Sequence, residues 1–172
     1  MKALTRIATL AARAIPGGRV LALLLAAMMA GLLVAVAKDA IARPAPVPTN
    51  YTVPVYAQYQ WNNTGITLQS GTVVTVTASG TVYIAGSDPG KTPDGEAGCY
   101  GKDDPAYTYT AEDLTCYALI AKIGESGKPF EIGSSVTFRV RRAGTLYLST
   151  NDGYYPDNSG FWVAQVSVTS KR

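Results

Sequence analysis

Asp152, Asp157 and Asn158 are three oxygen-bearing side chains that lie close together near the C-terminus of this 172-residue chain. They fall in a short segment between two predicted strands. Calcium takes roughly six to eight oxygen ligands from carboxylates, amides and main-chain carbonyls, so these side chains can supply part of a calcium shell. The alternative is structural, because the segments N-D-G at 151–153 and D-N-S-G at 157–160 are typical turn sequences. We expect calcium as a cofactor and keep an ordinary turn as the alternative.

The chain contains no histidine. This composition excludes Ser-His-Asp and Cys-His catalysis, histidine-ligated zinc and bis-histidine haem. The carboxylates, lysines and tyrosines that remain form no recognisable acid–base motif. The sequence therefore predicts a protein without enzymatic activity.

Cys99 and Cys116 are the only cysteines of the chain. Outside the cytoplasm such a pair is interpreted first as a disulfide, which would stabilise the fold by roughly 3 kcal/mol. A metal or redox pair is the alternative, although no histidine is present to complete a metal site. The cysteines bracket much of the long segment 86–115, which is rich in Gly, Asp, Pro and Tyr.

Five tyrosines lie within the segment 86–115 or C-terminal to it: Tyr100, Tyr107, Tyr109, Tyr154 and Tyr155. They can stack on sugars, fill an interface or pack the loop.

The elements that must position these residues are predicted as short β-strands. Apolar and polar residues alternate with a period of two in 74–78 and 136–141, which is typical of strands with one solvent-facing side. Further strands are predicted at 81–85, 117–123, 145–150 and 161–169, separated by Gly-, Ser- and Asn-containing turns. Seven or eight short strands predict an all-β fold, an antiparallel jelly roll or β-sandwich.

The N-terminal part of the chain carries a different signal. Residues 20–37 are 18 residues without a charge, and this apolar stretch is long enough to cross a bilayer as one transmembrane helix. We expect an uncleaved anchor, and the alternative is a cleaved signal peptide that ends at Ala35-Val36-Ala37. Four basic residues precede the span. They place the N-terminus in the cytoplasm and the C-terminal domain in the periplasm or outside the cell, as a single-pass membrane protein.

Four parts of the chain follow from these patterns. We expect a leader at 1–19, the transmembrane helix at 20–37, a Pro-rich stalk at 38–54 and an extracytoplasmic β-sandwich at 55–172. The stalk is indicated by four prolines within 43–54, which favour an extended backbone. After residue 37 the 11 basic and 12 acidic residues nearly cancel. Because nucleic-acid binding needs clustered cations, we expect no nucleic-acid partner.

Several segments of the C-terminal half carry a family resemblance. They are C-Y-A-L-I-A-K-I-G at 116–124, G-T-L-Y-L at 144–148, N-D at 151–152 and D-N-S-G at 157–160. The upstream segments 71–80 and T-P-D-G at 92–95 fit the same order. Together they resemble the PA-IL family of galactophilic bacterial lectins. The resemblance implies a small jelly-roll sandwich whose calcium ion bridges the protein and sugar hydroxyls.

The resemblance also implies site residues. Asp152, Asp157 and Asn158 match the family's side-chain ligands, and the backbone carbonyl near Ile84 matches its ligand from the neighbouring loop. The segment between Asp152 and Asp157 is shorter than in the sugar-binding lectins, so a further backbone ligand would come from one of the two tyrosines within it. No residue matches the family's sugar-contacting histidine. The implied carbohydrate-binding residues are Tyr83, Asp152, Tyr154, Tyr155 and Asp157.

Two functions are compatible with these features. The sequence favours a non-catalytic, membrane-anchored accessory subunit, whose lectin-like sandwich braces the extracytoplasmic face of a larger membrane complex. Its partners would be membrane lipid and other membrane-protein subunits, and the small residues Ala26, Ala27, Ala30 and Gly31 suit close helix packing. The alternative is a calcium-dependent, galactose-type lectin, secreted or tethered, with glycans as its partners.

Overall fold

The computed structural model describes residues 45–86 and 89–170, which form two packed antiparallel sheets without an α-helix. The predicted leader, the predicted transmembrane helix and the first part of the predicted stalk lie outside these described residues. Across the described ranges, no helix is long and apolar enough to cross a membrane. The predicted all-β antiparallel fold is confirmed for this part of the chain.

The eight strands of the described residues are divided equally between the two sheets. They are β1 (Thr49–Tyr56), β2 (Asn62–Leu68), β3 (Val73–Tyr83), β4 (Leu119–Ile123), β5 (Phe130–Glu131), β6 (Ser135–Arg139), β7 (Gly144–Thr150) and β8 (Ser159–Thr169). The first sheet has the order β1-β8-β3-β6, and the second has the order β2-β7-β4-β5. Every neighbouring pair is antiparallel.

The core lies between the two sheets and follows the period-two pattern of the sequence. In β3, Val74 and Val76 are fully buried, while the threonines between and after them lie on the outer face. Trp162 of β8 is the largest fully buried side chain, and its indole N–H donates to the Lys91 carbonyl at 3.1 Å. Removing this apolar surface from water is the main favourable term in the stability of the sandwich.

β3 is longer than the sequence-based expectation, and β1, β2 and β5 were not expected as strands. β1 begins at Thr49 and therefore includes part of the segment predicted as a stalk. Pro54 fits in β1 because this strand is at the edge of its sheet, where a missing N–H costs no ladder bond. β3 continues through Ser79 and Gly80, where a turn was expected, and it pairs with β8 along its whole length. Gly80 has φ +109°, a conformation open to glycine at little cost.

The ends of six strands meet at one end of the sandwich, here called the loop end. The pairing of Tyr83 with Ser159 brings the end of β3 beside the start of β8. The pairing of Leu119 with Thr150 does the same for the end of β7 and the start of β4. β1 ends beside β8, and β2 begins beside β7. The connecting segments 57–61, 84–86, 89–118 and 151–158 therefore lie together at the loop end.

Candidate functional site

Asp152 is buried in the segment that joins β7 to β8, with 6% of its surface exposed. One carboxylate oxygen accepts hydrogen bonds from the backbone N–H groups of Gly153 at 2.6 Å and Tyr154 at 3.4 Å. The other accepts a hydrogen bond from the Asn158 side-chain amide at 2.7 Å. The structure thus brings two predicted calcium ligands into direct contact.

The orientation of the Asn158 amide is set by its two acceptors. Its Nδ2 donates to the Asp152 carboxylate at 2.7 Å and to the Ala57 carbonyl at 3.2 Å. Turning the amide over would place its oxygen against these two acceptors, which carry negative and partial negative charge. In this orientation Oδ1 is buried and has no hydrogen-bond partner in the described part of the chain. A buried acceptor without a donor is uncommon in proteins and points to a missing ion or water.

The other predicted ligands are positioned by β3 and by the 151–158 segment. Ile84 follows β3 directly, so the pairing of Tyr83 with Ser159 places the Ile84 backbone beside the start of β8. Ala85 has φ +50°, so the chain turns sharply immediately after Ile84. Asp157 is exposed to solvent and precedes Asn158 in the chain. We refer to this part of the loop end, which comprises Ile84 and residues 151–158, as the Asn158 corner.

Tyr83 and Tyr154 are solvent-facing at this corner, with 46% and 62% of their surfaces exposed. Tyr155 is different, because only 9% of it is exposed. Its hydroxyl donates to the Thr150 carbonyl at 2.9 Å and lies 2.6 Å from the Thr110 hydroxyl. Burial raises the pKa of the Tyr155 phenol. The structure therefore gives the Tyr155 side chain a packing role instead of the predicted sugar contact.

The tyrosines of the long loop also include both buried and exposed rings. Tyr109 is 4% exposed and packs on Tyr117, with 5.5 Å between the ring centroids. Its hydroxyl donates to the Asp104 carboxylate at 3.1 Å, and burial raises the pKa of the Tyr109 phenol. Tyr100 and Tyr107 are exposed. Packing of the loop is thus confirmed as one use of these rings, and only the exposed ones remain available to a ligand.

The predicted disulfide is confirmed. Cys99 and Cys116 are bonded, with 5.4 Å between their Cα atoms, and the Cys116 N–H donates to the Cys99 carbonyl at 3.1 Å. A short 3-10 helix, Gly101–Asp103, lies inside the closed loop. The disulfide fixes both ends of this loop at the loop end of the sandwich.

Asn151 attaches the disulfide loop to the segment that contains Asp152. It is fully buried, and its Nδ2 lies within hydrogen-bond distance of three backbone carbonyls of the loop, those of Ala111, Leu114 and Thr115. Its Oδ1 accepts from the Ala111 N–H at 2.9 Å. The sequence predicted Asn151 only as part of a turn. Its partners are backbone groups, which have no residue-specific signal in a sequence.

Two further contacts join the same segments. The Thr110 N–H donates to the Asp152 carbonyl at 3.0 Å, and the Thr110 hydroxyl oxygen lies 3.0 Å from the same carbonyl oxygen. Gly153 lies so close to the backbone of Thr108 that an added Cβ would overlap the Thr108 carbonyl. The disulfide loop and the 151–158 segment are therefore held together as one unit at the Asn158 corner.

The donors at the Asn158 corner suit a hard cation. Across residues 45–86 and 89–170, no three His, Cys, Asp or Glu side chains cluster as a metal site. The corner offers instead two carboxylates, one amide oxygen and main-chain carbonyls, which are the ligand types that calcium accepts. The unpartnered Asn158 Oδ1 is the observation that tests the fit, because a cation would satisfy it. The ligand types present are therefore compatible with calcium.

Comparisons with known proteins agree with this architecture. A search of curated proteins found no match. Among solved structures, the chain is similar to the N-terminal domain of EclA, a PllA-like lectin, with a TM-score of 0.53 and 27% sequence identity. That alignment covers 69% of this chain and 95% of the EclA domain. A family model described as PA-IL-like protein matches residues 52–171, most of the chain. The chain therefore belongs to the PA-IL-like protein family.

Proposed function

We propose that this domain is a calcium-dependent carbohydrate-binding lectin whose site is the Asn158 corner. The single observation that carries the proposal is the Asn158 amide, which is fixed by Asp152 and Ala57 and leaves a buried oxygen without a donor. Membership of a lectin-like family and the similarity to the EclA domain support it.

Each residue of the corner has a distinct role in the proposal. Asp152 and Asn158 hold the ion from within the fold, Asp157 adds a carboxylate from the solvent side, and the Ile84 carbonyl adds a main-chain oxygen. When bound, the calcium ion can be coordinated directly by sugar hydroxyl oxygens. The exposed rings of Tyr83 and Tyr154 can contact the apolar C–H face of a sugar.

The accessory-subunit role that the sequence favoured receives less support than the lectin role. Its helix lies outside the described residues, whereas the family and the structural neighbour both concern a lectin-like domain. The same comparisons favour a binding protein over an enzyme. We therefore propose glycans as the principal partners of this chain.

The membrane tether and the extracytoplasmic location remain proposals. The Cys99–Cys116 disulfide supports an oxidising compartment, where such bonds persist. N-terminal sequencing of the mature protein tests the tether. A start at Met1 or Lys2 would support it, and a start at Lys38 or Arg43 would contradict it.

Titration calorimetry of the full chain tests the lectin proposal. The chain is purified in a mild detergent without a sugar headgroup, so that the detergent does not compete for the site. Calcium chloride is titrated first, and galactose is then titrated with calcium present and after calcium is removed with EDTA. We expect calcium binding, and galactose binding only in its presence. Calcium binding without any sugar binding, on galactose or on a wider glycan array, would contradict the lectin function.

A matched pair of variants assigns the binding to the Asn158 corner. Asp157→Asn removes one exposed carboxylate from the corner, and we expect calcium affinity to fall about tenfold or more because one charged ligand is lost. Asp113→Asn makes the same change at an exposed position in the disulfide loop, and Asp113 is not one of the predicted ligands. The calcium affinity of this variant should equal that of the unmodified chain. Equal affinities for the two variants would place the ion elsewhere.

A further inference from the structure

A second concave surface lies at the open edge of the sandwich, away from the residues assigned to calcium. It is a cleft of about 410 Å³ between β1, the edge strand of the first sheet, and β2, the edge strand of the second sheet. Ligand pockets in proteins commonly have volumes of roughly 300–1,000 Å³, so the cleft is large enough for a small ligand. We call it the edge cleft.

Aromatic side chains dominate one side of the edge cleft. Tyr56, Tyr59 and Trp61 line it, and Tyr56 lies within 6.0 Å of the Tyr59 ring centroid. Phe161 extends this group beyond the cleft, with its centroid 5.6 Å from that of Tyr56. Tyr56, Tyr59 and Phe161 are 38%, 56% and 48% exposed. A contiguous group of exposed aromatic rings usually marks a binding surface.

A cation–π contact with Lys122 fixes the position of Trp61. The Lys122 ammonium lies 4.3 Å from the Trp61 ring and 5.4 Å from the Tyr147 ring, and it also donates to the Glu125 carbonyl at 2.8 Å. Cation–π contact of this kind holds an aromatic ring in place. Trp61 is therefore preorganised within the aromatic wall, which lowers the entropy lost when a ligand contacts this ring.

The strand edges that border the cleft are closed to an incoming peptide strand. The Tyr56 N–H and carbonyl both bond to the Asn62 side-chain amide, each at 3.0 Å, so these groups point away from β8. Alternate residues of an edge strand share that direction, and the next along β1 is Pro54, which has no N–H. β2 is interrupted by a register shift between Asn63 and Thr67. These features disfavour β-strand addition as the use of the cleft.

The remaining lining is uncharged, with polar side chains beside the apolar Val53 and Pro54. Thr52, Asn63 and Thr64 contribute hydroxyl and amide groups, and no Asp, Glu, Lys or Arg is among the lining residues. Tyrosine hydroxyls and the Trp61 indole N–H add further hydrogen-bonding groups. Aromatic faces beside neutral polar groups match a ligand with an apolar C–H face and several hydroxyls, and they give no preference to a charged one.

We propose that the edge cleft is a second carbohydrate-binding site, which takes a neutral sugar without calcium. The sugar stacks on the aromatic wall, chiefly on Tyr59, and its hydroxyls bond to the polar groups of the lining. This site shares no residue with the Asn158 corner, so it does not depend on the function proposed there.

A glycan array of neutral oligosaccharides, read with EDTA present, tests this proposal on the full chain in a detergent without a sugar headgroup. We expect binding that persists in EDTA and in the Asp157→Asn variant. Tyr59→Ala should weaken this binding at least tenfold. Tyr51→Ala is the matched control, because Tyr51 is 40% exposed on the adjoining strand β1 and does not line the cleft. The control should bind as the unmodified chain does.

Three results would overturn the proposal. The first is an absence of EDTA-resistant binding on the array. The second is equal binding by the Tyr59→Ala and Tyr51→Ala variants, when near-ultraviolet circular dichroism shows both to be folded. The third is a dimer in sedimentation velocity that Tyr59→Ala dissociates, which would make a second copy of this chain the occupant.

Discussion

The Asn158 corner and the edge cleft represent two ways of building a binding surface on one sandwich. The corner is made of buried polar side chains, in which Asn151, Asp152 and Asn158 hold loops together through hydrogen bonds. The cleft is made of partly exposed aromatic rings on the edge strand β1 and on the short segment that joins it to β2. We therefore expect substitutions at the corner to reduce stability together with binding, and substitutions in the cleft to reduce binding alone.

The largest effect is expected for Asn151→Ala. The variant removes the amide that pairs with the Ala111 N–H and with loop carbonyls, and it leaves those buried groups without partners. We expect a loss of roughly 4 kcal/mol in the free energy of unfolding, measured by urea denaturation. Asn63→Ala is the control, because Asn63 is exposed and accepts one hydrogen bond from the Gly65 N–H. Its loss should be below about 1 kcal/mol.

The next effect is expected from removal of the disulfide. Replacing Cys99 and Cys116 with serine should lower the free energy of unfolding by roughly 3 kcal/mol, because the unfolded chain regains the freedom of the closed loop. Calcium affinity should fall as well, since this loop is bonded to the Asp152 segment. EDTA-resistant binding at the edge cleft should not change. A parallel loss at both sites would show that the two regions are not independent.

A smaller effect is expected for Tyr155→Phe. The variant removes the hydroxyl that bonds to Thr150 and Thr110, at a cost of roughly 1.5 kcal/mol in urea denaturation. Tyr154→Phe, at an exposed ring, should change stability by less than about 0.5 kcal/mol. If both variants lose the same amount, the buried hydroxyl is not what stabilises this segment.

The Tyr155 phenol also gives a pH dependence with a definite sign. Burial raises its pKa in the folded state above the unfolded value of about 10. Its contribution to stability is therefore complete below about pH 10 and is lost as pH rises toward the folded pKa, because the unfolded chain releases its proton first. Urea denaturation from pH 8 to 11 should show this fall, with a smaller slope in Tyr155→Phe.

The smallest effect on stability is expected for Tyr59→Ala. The Tyr59 ring is more than half exposed and lies on a loop at the edge of the sandwich, so its removal should cost less than about 0.5 kcal/mol of unfolding free energy. Urea denaturation measures this directly. A loss of 2 kcal/mol or more would make Tyr59 part of the packed structure and would remove the contrast between the two regions.

The sequence predicted most of the strands, from the period-two alternation and from the turn residues between them. β4, β6, β7 and β8 were expected near their observed positions, and β3 was expected as two shorter strands separated by a turn. β1 was assigned to a stalk because Pro54 weakens the strand signal, although proline is tolerated at a sheet edge. β2 and β5 were also missed. Gly65 interrupts the first with φ +71°, and the second has only two residues.

The candidate site was predictable only in its side-chain chemistry. Asp152 and Asn158 were chosen from the sequence because carboxylate and amide groups were close together, and the structure places them in contact. The role of Asn151 depends on backbone groups about 40 residues away in the chain, so spacing could not indicate it. The edge cleft combines edge strands of two different sheets. No local pattern describes such a surface, since it exists only once the sandwich has closed.

Pro54 and Asn62 have a consequence for crowded conditions. Unprotected strand edges are templates on which copies of a protein can add to one another and aggregate. In β1 the proline has no N–H to donate. The Asn62 side-chain amide forms hydrogen bonds with the N–H and carbonyl of Tyr56, as the backbone of a neighbouring strand would. Strand addition by a second copy is therefore disfavoured along this end of β1, which closes one route to aggregation.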